Sequence, residues 1–81
     1  MAYIASNPRQ QTNLHEYERK VFTLANAGIG DYEREHNRGA SKGVTKDIVD
    51  MFLHDYQNRY KISNLERDLV REKILKMYDI R

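Results

Sequence analysis

The chain has 81 residues, 32% of them charged and 40% hydrophobic, with no cysteine and a formal net charge of +2. That length allows one small domain, folding to hide only about 60–65% of the surface of its unfolded chain. The absence of cysteine excludes disulfides, thiolate metal sites and thiol nucleophiles. The weak basic excess falls short of what a domain built on phosphate contacts usually carries.

Residues 1–12 hold the only proline, Pro8, and no helical periodicity. They read as an extended N-terminal arm, with 13–81 as a single helical domain. The start MAYIASNPRQQ has neither the basic residues nor the apolar run of a secretory signal. No apolar run approaches the length of a membrane span. The expected location is therefore cytoplasmic, without a membrane partner.

The first helical pattern runs from Leu14 to about Ala27. Leu14, Tyr17, Val21, Leu24 and Ala25 share one face at helical spacing. Asn13 and Glu16 make a partial capping box, and Gly28 and Gly30 read as the stop, because glycine adopts the left-handed cap conformation freely. A short extra helical turn is expected over 31–37, capped by Asp31. The stretch NRGASKGVTK then forms a Gly-rich basic loop, acid-free between Glu35 and Asp47 and carrying Arg38, Lys42 and Lys46.

The second helix is expected from Lys46 to about Tyr60, with Thr45 as cap and Val44 and Val49 as a hydrophobic staple. Ile48, Val49, Phe52, Leu53, Tyr56 and Tyr60 gather on one arc of about 140°. Ser63 and Glu66 form a true capping box that opens a third helix ending near Tyr78. Val70, Ile74 and Met77 make one apolar stripe of that helix, Leu65 and Leu69 a neighbouring one, and Leu75 stands apart. The fold expected is all-α, a small three-helix bundle.

A helix that is apolar on more than one side needs cover on more than one side. Two short partner helices cannot easily supply it, and small all-helical chains often complete their cores by association. Phe22, Tyr60, Leu65, Leu69 and Leu75 are therefore the expected protein interface, serving a larger protein partner and a homo-oligomer, most simply a dimer. The expected function is a non-catalytic interaction protein that regulates or inhibits its partner. Accessory factors of phages and mobile elements are a class of that kind.

The alternative is backbone-driven nucleic-acid binding through Arg38, Lys42, Lys46, Arg59 and Lys61. Six tyrosines suit either half-wet interface positions or base stacking, as in the run Asn58-Arg59-Tyr60-Lys61. The second and third helices can also be read as helix-turn-helix, with Arg67, Arg71, Lys73 and Lys76 on a recognition helix. Glu66, Asp68 and Glu72 on that same helix would repel phosphates.

Catalytic patterns are weak. Glu33 and His36 at i,i+3, and Asp50 and His54 at i,i+4, have the spacing of bundle metal ligands, but the candidates for the further carboxylates such a site needs, Glu16 and Glu18, read as on or near the solvent side of the first helix. GASKG resembles a phosphate loop only superficially, since its order differs and no strand precedes it. No Ser/His/Asp grouping is brought together by the helical pattern. No cofactor, no metal and no enzymatic activity are expected.

Overall fold

In the computed structural model, residues 8–80 are described, with side chains described from residue 13. Three helices follow in order: α1 Pro8–His36, α2 Lys42–Gln57 and α3 Asn64–Met77. The fold is the expected all-α three-helix bundle. Helix α1 already holds residues 8–12, and the remainder of the expected arm lies outside the described residues.

Cross-links between side chains fix the topology. Tyr17 of α1 meets Leu53 and Tyr60 near the end of α2, whereas Gly28 meets Ile48 and Phe52 nearer its start, so α1 and α2 are antiparallel. Glu18 pairs with Lys73 at 3.2 Å and Asn26 with Tyr78, so α3 runs parallel to α1. Asp50–Arg71 and Gln57–Asn64 make α2 and α3 antiparallel. The core between them consists of Tyr17, Val21, Ala25, Val49, Leu53, Ile62, Val70, Ile74, Leu75 and Ile80.

Helix α1 does not stop at its glycines. It continues for 29 residues, about 43 Å, and absorbs the expected extra turn at 31–37 as its own last turns. Neither glycine has a positive φ. Gly28 serves packing instead: a Cβ there would stand 3.2 Å from Ile48 Cγ2 and 3.3 Å from Phe52 Cε2. Its bare Cα lets α2 lie close. Interior propensity favours ending a helix at glycine by about 1 kcal/mol, and the α1–α2 contact overrides it.

The actual stops share one device. Arg38 N–H donates to Glu33 O at 3.2 Å, Ile62 N–H to Gln57 O at 3.0 Å and Ile80 N–H to Leu75 O at 2.9 Å. The residue before each donor, Asn37, Lys61 and Asp79, has φ of 54°, 55° and 59°. These are the six-to-one bonds and left-handed residues of Schellman caps. Not one uses glycine.

Helix α2 begins four residues before its expected start. Ser41 Oγ accepts from Val44 N–H at 3.1 Å and caps it. Glu33 Oε2 accepts from Ala40 N–H at 2.9 Å, holding the preceding loop against the end of α1. Thr45 is thereby an interior, buried helical residue rather than a cap, and Val44 and Val49 do not occupy staple positions. The Ser63–Glu66 box forms in both directions as expected, at 2.9 and 3.1 Å.

Candidate interaction surface

Burial divides the five expected interface residues. On α3, Leu65 is 72% exposed and Leu69 60% exposed. Four residues apart, they sit one turn from each other on the same face. That face points away from the bundle because Val70 and Ile74, on the other side of α3, are in the core. Ser63 places Leu65 in the first turn by capping the helix just before it.

Leu75 requires correction. It is 5% exposed and belongs to the core, not to a free surface. The cause is the Schellman cap after Met77, which turns the chain so that Ile80 is also buried. Such caps bring an apolar residue beyond the helix onto one in its last turn. Phe22 and Tyr60 are half-buried and pack against the core. The Phe22 ring lies 5.6 Å from Tyr78 and the Tyr60 ring 6.0 Å from Tyr17. They border the core and do not extend the Leu65–Leu69 face. Two further apolar side chains are half-exposed: Met77 at 50% and Met51, on the outward side of α2, at 49%.

The five cations of the alternative reading do not form one patch. Arg38 lies in the short loop after α1, and Lys42 and Lys46 belong to the first turns of α2 rather than to a flexible loop. Arg59 and Lys61 follow the other end of α2, which is 16 residues or about 24 Å long. Arg59 holds its guanidinium 5.0 Å from the Tyr56 ring centroid. Lys61 is the left-handed residue of its cap.

The recognition-helix reading also loses its leading residues. Arg67 donates to Gln57 Oε1 at 3.1 Å, and Arg71 donates to Asp50 Oδ1 at 2.6 Å. Both arginines are turned into the α2–α3 contact. Hydrogen bonding to Asp50 raises the Arg71 pKa further above its ordinary value. Gln57, which sequence reading missed, joins the two helices: its amide also donates to Ile62 O at 3.0 Å and Asn64 Oδ1 at 2.9 Å.

The two carboxylate–histidine pairs are likewise engaged elsewhere. Asp50 takes Arg71, Glu33 takes the Ala40 N–H, and His36 stacks 4.0 Å from Tyr32. Among the described residues, no three His, Asp or Glu side chains are grouped to hold a metal. Nor is any described helix long and apolar enough to cross a membrane.

No protein-family model, curated protein or solved structure matches the chain.

Proposed function

We propose that this chain is a non-catalytic helical interaction protein, which binds and regulates a larger protein through the outward face of α3. The single observation behind this reading is the pair Leu65 and Leu69, both mostly exposed and adjacent on a helix whose opposite side is already in the core. Single exposed leucines are ordinary. Two on one turn, flanked by Asp68 and Glu72, have the pattern of an apolar centre with a polar rim. The same face is available to a second copy of the chain, and a homodimer through α3 is part of the proposal.

The test is capture of a partner from extract of the native host by the full chain, beside the double variant Leu65→Asp/Leu69→Asp. The expected outcome is loss of capture, with affinity for the recovered partner reduced at least about 30-fold, the scale of a hot spot worth about 2 kcal/mol. Thermal unfolding should stay within about 0.5 kcal/mol of wild type, as for other surface substitutions. Undiminished capture by the double variant, together with unchanged mass in light scattering, would refute the proposal.

A further inference from the structure

The bundle brings together a group of cations that the sequence keeps apart. Arg19 and Lys20 lie on α1, and Arg59 just after α2, forty residues further along the chain. An open, shallow groove of about 350 Å³ lies along α1, lined by Glu16, Arg19, Lys20 and Thr23 of that helix and by Tyr60 from the turn after α2. At its edge, Lys20 Nζ is 5.8 Å and the Arg59 guanidinium 5.0 Å from the centroid of one ring, Tyr56. Each distance lies within cation–π range, so one ring attracts a cation from each of the two segments.

What distinguishes Lys20 and Arg59 is the ring they share, and ion pairing divides the cations further. Arg34, Arg67, Arg71 and Lys73 each form an ion pair with a carboxylate of the chain. Among the described residues, Arg19, Lys20 and Arg59 form none, nor do Arg38, Lys42, Lys46, Lys61 and Lys76, but of these eight only Lys20 and Arg59 lie over an aromatic ring. Glu16 lines the groove and Asp55 precedes Arg59 by one turn in sequence, and three cations outnumber these two acids. Cations without a carboxylate partner favour an anion placed beside them. Beside them stands Tyr60, half-buried and backed by Tyr17, a fixed ring at the groove wall.

We propose that this groove binds single-stranded nucleic acid, with phosphates meeting Arg19, Lys20 and Arg59 and an unpaired base stacking on Tyr60. Cations tracking a backbone beside an aromatic platform are the means by which single strands are held without sequence readout. A duplex keeps its bases stacked internally and needs a longer basic track, whereas Arg38, Lys42 and Lys46 lie at the far end of α2. An acidic peptide would use the cations but not the ring. The inference is independent of the α3 face.

Fluorescence anisotropy of the full chain with a labelled mixed-sequence 12-nucleotide single strand, as DNA and as RNA, tests it. A hairpin duplex and a poly-glutamate peptide serve as competing probes. With three phosphates engaged, affinity should fall about 20-fold between 50 and 200 mM salt. Lys20→Glu/Arg59→Glu should weaken binding at least tenfold while circular dichroism stays that of a folded helical protein. Tyr60→Leu, which keeps the apolar contact with the core, should weaken it, and Tyr60→Phe should retain it. Leu69→Asp should change nothing, which separates this site from the α3 face. No binding at 50 mM salt, full binding by the Lys20→Glu/Arg59→Glu variant, or poly-glutamate binding as tightly as the oligonucleotide would each overturn the proposal.

Discussion

Tyr17 is fully buried in α1, and its hydroxyl donates to the Leu53 carbonyl of α2 at 2.6 Å. Burial pushes its pKa up to about 12, with the Arg67 charge opposing in part. Unfolded tyrosine releases its proton near pH 10, so between about pH 10 and 12 the unfolded state is deprotonated while the folded state is not. The contribution is intact below pH 10 and is lost as pH rises to 12, a fall of about 3 kcal/mol. Urea unfolding of Tyr17→Phe should show a cost of about 1 kcal/mol at pH 7 from the lost hydrogen bond. It should also show a shallower alkaline decline than wild type, with a residual slope from Tyr78, whose pKa burial raises too. Lys61 gives a second prediction at this scale. With φ of 55° it occupies a conformation that costs a side-chain-bearing residue about 1 kcal/mol or more, so Lys61→Gly should raise the unfolding free energy by about that amount in urea titrations. Leu75 shows what the residue pattern hides: its angular position on α3 sets it apart from the core stripe, yet it is buried together with Ile80, which the turn at Asp79 brings back onto its carbonyl.

Helices α2 and α3 were legible as elements because their signals are local. The capping box at Ser63 and the apolar arc of α2 need no tertiary information. The ends of α1 and α2 were not, and the two glycines show why. Gly30 has open space: a Cβ there would meet only the Arg34 guanidinium at 3.6 Å. Gly30→Ala should therefore stabilise the bundle by about 0.5–1 kcal/mol through helix propensity. Gly28→Ala gains the same propensity but sets its methyl against Ile48 and Phe52 at 3.2–3.3 Å, so it should stabilise less than Gly30→Ala or destabilise. Parallel thermal melts of the two variants check the order. Nothing in the one-dimensional pattern distinguishes a glycine that ends a helix from one that admits a neighbouring helix. The Schellman stop at Lys61 was hidden because lysine does not announce a left-handed backbone, whereas Asn37 and Asp79 are types that adopt it more readily.

At the scale of the molecule, unequal lengths shape the surface. Helix α1 spans about 43 Å and α3, with 14 residues, about 21 Å. Helix α3 ends level with Asn26, so α1 and the start of α2 run on past it. Excess apolar surface on α3 was legible in the sequence, and Leu65 and Leu69 remain exposed as expected. Which apolar residues the C-terminal turn would cover was not legible, because that depends on Ile80 folding back. The charge clusters were the least legible feature. Arg67 and Arg71 looked outward along α3 and are tied to α2, while Lys20 and Arg59, far apart in the chain, meet the same ring, Tyr56.

The central claim is that another chain covers the outward face of α3. Because the chain has no cysteine, a single Leu69→Cys variant carries one spin label on that face and Met51→Cys carries one on the outward side of α2. The measurement is the mobility of each label by electron paramagnetic resonance, alone at high concentration and in native host extract. The account predicts strong immobilisation at position 69 in at least one of the two conditions, with the label at 51 remaining mobile. Equal, unrestricted mobility at both positions in both conditions would contradict it.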